Sequence, residues 1–188
     1  NANMRINNLN KAGEYAFRII KIDPYNDEAY FLLGDIYRLK NKWKKALNAY
    51  QKALELDSEN EEYYYRIAQM YIKLNDNNLA EKYFDILMDL DSPEENYYLD
   101  YTLFLVKNEK FEKAYSILID SEDKVYCSYF NYLKAVIEYK KGNKKEALLN
   151  LDIALNENFD EYKKIFEISP EMKFDKEVNS MINYYRGI

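Results

Sequence analysis

Residues 27–60 read DEAYFLLGDIYRLKNKWKKALNAYQKALELDSEN, and their apolar side chains form two runs at three- and four-residue spacing. In the first run Tyr30, Leu33, Gly34 and Tyr37 share one helical face, and in the second Ala46, Tyr50 and Ala53 do. That spacing predicts two amphipathic helices. Small residues at Gly34 and Ala46 let two antiparallel backbones approach while aromatic rings fill the space between them. A lone helix pair cannot cover its apolar face, so such pairs are expected to stack.

The rest of the chain repeats this unit. Alanines followed four residues later by an aromatic residue or leucine stand at Ala46/Tyr50, Ala80/Phe84, Ala114/Leu118 and Ala147/Leu151, with Ala12 in step before them, at spacings of 34, 34, 34 and 33 residues. A second ladder runs through Tyr30, Tyr64, Tyr98 and Tyr132, and a third through Tyr37, Tyr71, Leu105 and Tyr139, both stepping by 34. Gly34, Ala68, Thr102 and Val136 mark the close-approach position of each unit. Because the fourth unit keeps the tyrosine step while Ala147 arrives one residue early, the deletion is expected in the turn around Gly142. Only 4 glycines and 3 prolines interrupt the chain, which reads as helical throughout.

Over residues 11 to about 156 the pattern resembles the tetratricopeptide repeat (TPR) family. The resemblance implies an all-α, right-handed superhelical solenoid with a concave surface. Its expected division is a leader or remnant of a preceding helix at 1–10, the second helix of a truncated repeat at 11–26, repeats at 27–60 and 61–94, a degenerate repeat at 95–125, a repeat at 126–157, and capping helices at 158–188. One continuous solenoid is expected, starting in mid-repeat as if excised from a longer polypeptide. Pro24 stands where the family places a proline, whereas Ser58 and Ser92 replace the later ones and Pro93 comes one place late.

Composition narrows the function. The 188 residues suit one ordinary domain, and 27 Lys+Arg against 33 Asp+Glu give a charge of -6, which disfavours nucleic acid as a partner. No histidine and one cysteine, Cys127, remove the usual groups for zinc sites, histidine acid/base chemistry, Cys-His nucleophiles and internal disulfides. No catalytic dyad stands out among the carboxylates, so a non-enzymatic protein without metal or cofactor is expected. Cys127 reads as a small, partly buried residue rather than a reactive thiol. The apolar stretches are far shorter than the ~20 residues of a membrane span. A single cysteine fits a reducing, cytoplasmic setting and also an exported protein without disulfides. No basic segment followed by an apolar core marks a signal peptide.

In TPR proteins the first helix of each pair lines the groove. By that resemblance the candidate partner-binding residues are Phe31, Asp35, Arg38, Tyr65, Arg66, Gln69, Leu99, Leu103, Leu133 and Ile137, a surface polar at its start and apolar toward its end. The apolar members are accounted for equally well by burial under the capping helices. The family's clamp for chaperone C-terminal tails would need Lys and Asn, then Asn, Lys and Arg, where this chain has Phe31, Asp35, Arg66, Asn96 and Asp100. That partner is therefore disfavoured. A scaffold for a peptide or protein segment is expected. The alternatives are a structural spacer or oligomerisation module, compatible with a homo-oligomer, and an accessory domain of an enzyme whose catalytic part lies elsewhere. Lysines in the turns within repeats and acids in the turns between them also suit the helix dipoles, so charged rims need no partner to explain them.

Overall fold

The computed structural model describes the backbone of residues 2–90 and 92–187, and within these the side chains from residue 8 onward. Eleven α-helices are described: α1 (Ala2–Ile22), α2 (Asp27–Leu39), α3 (Trp43–Leu56), α4 (Glu61–Lys73), α5 (Asn77–Asp89), α6 (Glu95–Lys107), α7 (Phe111–Ser121), α8 (Tyr129–Lys140), α9 (Lys144–Glu157), α10 (Ile165–Ile168) and α11 (Lys176–Arg186). Two 3-10 turns, Phe159–Lys164 and Pro170–Phe174, flank α10. Among the described residues there is no strand. The helices divide into two compact units, Asn1–Ser92 and Pro93–Ile188. The boundary falls at the displaced proline, Pro93, which can neither donate a backbone hydrogen bond nor let Ser92 settle into helical geometry.

In the first unit α2 pairs with α3 and α4 with α5, while α1 packs on α2. The first helix of each pair is started by a side-chain cap: Asn26 accepts from the Ala29 amide at 2.8 Å, and Asn60 from the Glu62 amide at 3.2 Å. The core between pairs holds Ala46, Leu47, Tyr50, Ile67 and Met70, with Trp43, Tyr71 and Tyr83 partly buried around it. A second cluster of Ala16, Leu33 and Ala49 ties α1 to this stack. The sequence led us to expect a leader or the remnant of a preceding helix at 1–10 and the second helix of a truncated repeat at 11–26. Asn1 and the side chains of residues 2–7 lie outside the described residues, but the backbone from Ala2 is already helical and continuous with the rest of α1.

In the second unit α6 pairs with α7 and α8 with α9, and α10 and α11 follow. Tyr101, Leu105, Leu118, Leu133, Leu151 and Ile165 are completely buried in its core. Each turn within a repeat places one residue in left-handed geometry: Asn41 (φ 55°), Asn75 (φ 59°), Glu109 (φ 58°) and Gly142 (φ 85°). Each is closed by an amide reaching back five residues, from Lys42 to Tyr37, Asp76 to Tyr71, Lys110 to Leu105, and Asn143 to Glu138. The fourth turn is therefore intact. Helix α8 has 12 residues where α2, α4 and α6 have 13, so the missing residue is missing from the helix and not from the turn around Gly142.

Candidate functional site

On the first unit, α2 and α4 meet through aromatic rings and a phenol. The Phe31 ring lies 5.1 Å from that of Tyr63, whose hydroxyl donates to Asp27 Oδ2 at 2.5 Å. Desolvation, reinforced by the neighbouring Asp27 carboxylate, pushes the Tyr63 phenol well above its ordinary range. The α2 positions expected to bind are half-buried and tied to each other: Arg38 pairs with Asp35 at 3.0 Å, and both engage the Tyr50 hydroxyl, which donates to Asp35 Oδ1 at 2.7 Å and accepts from Arg38 Nε at 3.3 Å. The Tyr50 phenol is also raised, first by burial and then by its bond to Asp35.

This network depends on a glycine. Tyr50 rises from α3 beneath Gly34, and only the absent side chain there lets the ring pass between the helices to reach Asp35. On α4, Arg66 pairs with Glu62 at 2.7 Å, donates to Gln69 Oε1 at 3.2 Å, and places its guanidinium 5.6 Å from the centre of the Tyr65 ring. Tyr65 itself is buried, against Phe84 of α5. Phe31, Asp35 and Arg38 on α2 and Arg66 and Gln69 on α4 are thus partly exposed, with Asp35 braced to Arg38 and Arg66 to Gln69, and the Arg66 guanidinium lies over the buried Tyr65 ring.

The second unit differs. Leu99 and Leu103 on α6 are partly buried and each lines a cleft. Leu99 stands beside Glu95, Cys127, Tyr129, Glu161 and Lys164 in a space of about 280 Å³. Leu103, with Val106, Phe111 and Ile168, lines one of about 480 Å³ whose charged lining is Lys107, Glu109, Lys140 and Glu167. Leu133 and Ile137 are completely buried, so they do not form an open groove wall. Two physical reasons account for this. Counted back from the turn, the shortened α8 puts Tyr132, Val136 and Tyr139, not Leu133, Ile137 and Lys140, in line with Phe31, Asp35 and Arg38. The C-terminal segment also packs on α8 through α10.

Hydrogen bonds and ion pairs fasten that segment. Tyr132 donates to the Asn158 carbonyl at 2.7 Å, Tyr139 to Asp175 at 3.2 Å, Lys140 pairs with Glu171 at 3.2 Å, and Lys144 with Asp175 at 2.9 Å. The Lys144 bond, helped by two amides at the start of α11 and by Tyr139, holds the Asp175 carboxyl below its usual range against some opposing desolvation. Lys134 is buried against Glu122 of the α7–α8 loop.

Cys127 is half-buried, its thiol donating to Glu95 Oε1 at 3.1 Å. Burial and that carboxylate push the thiol up to about 12. Among the described residues no cluster of three or more His, Cys, Asp or Glu could hold a metal ion, and no helix is long and apolar enough to cross a membrane. The phenols of Tyr50 and Tyr63 were not among the expected site residues. The visible signal was a tyrosine at Tyr50 where the later repeats carry Phe84, Leu118 and Leu151.

Comparison with known proteins places this arrangement. Residues 34–75 match a family described as TPR repeat, and residues 61–92 one described as tetratricopeptide repeat. No curated protein matches the chain in sequence. Among solved structures, YrrB, described as a TPR protein with an unusual peptide-binding site, is 20% identical with a TM-score of 0.65, the match covering 98% of this chain and 87% of that one. MamA is 17% identical with a TM-score of 0.68, covering 90% and 88%. BtubC (BKLC) from P. vanneervenii is 13% identical with a TM-score of 0.67, covering 98% and 89%. At these identities the likeness over the whole chain carries the fold alone, a helical TPR-type solenoid, while the two family matches identify residues 34–92 as tetratricopeptide repeats.

Proposed function

We propose that the chain is a non-enzymatic protein-interaction scaffold whose first unit receives a peptide or protein segment on the α2–α4 face, with Phe31, Asp35, Arg38, Arg66 and Gln69 as contacts over Tyr65. TPR folds generally serve as such scaffolds. The observation that carries the assignment to this face is its bracing: Asp35, Arg38 and Tyr50 hold one another, as do Glu62, Arg66 and Gln69, while remaining partly exposed. Side chains fixed before binding lose less conformational freedom when a partner arrives. The peptide site described for YrrB is an analogy here, since it belongs to a chain of 20% identity.

A structural role suits the second unit better, because Leu133 and Ile137 are sealed. Work as an accessory domain beside a catalytic domain would use the same α2–α4 face.

Selection from a random-peptide display library on the immobilised chain tests the proposal. Selected peptides should bind the Gln69→Lys variant about tenfold or more weakly, roughly 1.4 kcal/mol, with thermal melts unchanged. Peptides held equally by both proteins would place binding elsewhere.

A further inference from the structure

Several large exposed apolar side chains gather on α1. Tyr15, Ile19 and Ile22 are 62%, 41% and 86% exposed and lie at i, i+4 and i+7, so they form one stripe. It is turned away from Ala16, which packs with Leu33 and Ala49 against α2 and α3. In repeat register Ile19 corresponds to Ala53 and Leu87, both completely buried. α1 therefore presents a second-helix face to which no described residue supplies a first helix. Lys11, Arg18 and Lys21 flank the stripe, with Glu14 as the one acid among residues 8–22, and the Arg18 guanidinium sits 5.7 Å from the centre of the Tyr15 ring.

The complementary surface lies on the second unit. A shallow cleft of about 380 Å³ is lined by Leu148 and Asp152 of α9 and by Glu177, Ser180, Met181 and Tyr184 of α11. The four α11 residues stand at i, i+3, i+4 and i+7, on one helical face. Tyr184 is 79% exposed, and Leu149 and Ile153 of α9 are 51% and 48% exposed. Its two charged lining residues, Asp152 and Glu177, are acids, although Glu177 also contacts Lys144 at 3.3 Å.

We propose that two copies of this chain associate head to tail, α1 of one copy docking on the α9–α11 cleft of the other. Tyr15, Ile19 and Ile22 meet Leu148, Met181 and Tyr184, while Lys11 and Arg18 face Asp152 and Glu177. The two surfaces are different, so the contact is heterologous and leaves a free α1 and a free cleft at the ends of every assembly that does not close into a ring. It uses neither α2 nor α4, so it stands or falls separately from the proposed peptide face.

The test is sedimentation velocity over a concentration series, with two substitutions at highly exposed positions, Ile22→Asp in α1 and Tyr184→Asp in α11. The unaltered chain should grow past dimer with concentration. Each variant alone should remain monomeric, since each lacks one of the two surfaces. An equimolar mixture of the two variants should form a one-to-one dimer, because one supplies an intact cleft and the other an intact α1. Matching circular dichroism melts establish that both variants are folded. An unaltered chain that stays monomeric overturns the proposal, as does a mixture that does. Dimerisation of the Tyr184→Asp variant alone also overturns it, since that result means that α1 pairs with α1.

Discussion

A side chain on Gly34 would collide with Tyr50: an ideal Cβ there lies 2.4 Å from Tyr50 Cε1 and 2.5 Å from Cδ1. The ring is completely buried and cannot swing clear. Gly34→Ala should therefore destabilise the first unit by about 1–3 kcal/mol through overpacking, despite alanine's better helix propensity. Tyr50→Leu, the residue type that later repeats use at this place, should relieve the clash. A double-mutant cycle read by thermal melts should show the pair costing less than the sum of the single changes. Simple additivity would mean that the two positions do not touch.

Ile137→Lys and Leu103→Lys separate sealed from accessible positions in the second unit. Ile137 is completely buried on α8, and a lysine there takes its charge out of water, so a loss of about 3 kcal/mol or more is expected. Leu103 lines an open cleft where a lysine can extend past the rim, with a cost of roughly 1 kcal/mol or less. Chemical denaturation of the two variants checks the ordering. Equal losses would show the Leu103 cleft to be closed.

Glu109 occupies the left-handed position that asparagine fills at Asn41 and Asn75 and glycine at Gly142. A glutamate there bears a steric cost that glycine escapes and asparagine tolerates. Glu109→Gly or Glu109→Asn should raise stability by about 0.5–1 kcal/mol, seen as a higher denaturant midpoint at unchanged slope. A lower midpoint would mean that the Glu109 side chain makes a contact worth more than the strain.

Cys127 should react sluggishly at neutral pH. With its thiol pushed up to about 12, first by burial and then by the bond to Glu95, the thiolate fraction at pH 8 falls two to three orders of magnitude, roughly, below that of an ordinary cysteine. Alkylation of the folded chain should be slower by about that factor and normal in denaturant. The sign for stability follows: the folded state favours the protonated thiol, so its contribution is whole below the unfolded value and is lost as pH rises toward 12. Labelling of the native chain as fast as of the unfolded one would refute the Glu95 contact.

Periodicity made the helix pairs legible because close packing constrains residue size at fixed steps, as at Gly34, Ala68 and Ala80. The placement of the α2 and α4 candidates on the first helix of each pair was legible for the same reason. The α8 candidates were not, since Leu133 and Ile137 keep a 34-residue step on paper while the turn at Gly142 sets a 33-residue one through its backbone. Side-chain ladders do not record where a helix has lost a residue when neighbouring positions are also apolar. Burial under the C-terminal segment was one of the two readings the sequence left open, although the 3-10 turns of residues 159–174 carry no long period.

The chain has a single tryptophan, Trp43, at the start of α3, partly buried in the core of the first unit with the Lys73 ammonium 6.0 Å from its ring centre. Fluorescence excited at the indole edge is thus a reporter confined to the unit 1–92, whereas far-ultraviolet dichroism registers both. The protein carries its own optical means of telling concerted from stepwise unfolding: superimposable curves from the two signals mean that the halves melt as one body, and displaced curves assign the earlier transition to a particular half without any label being introduced.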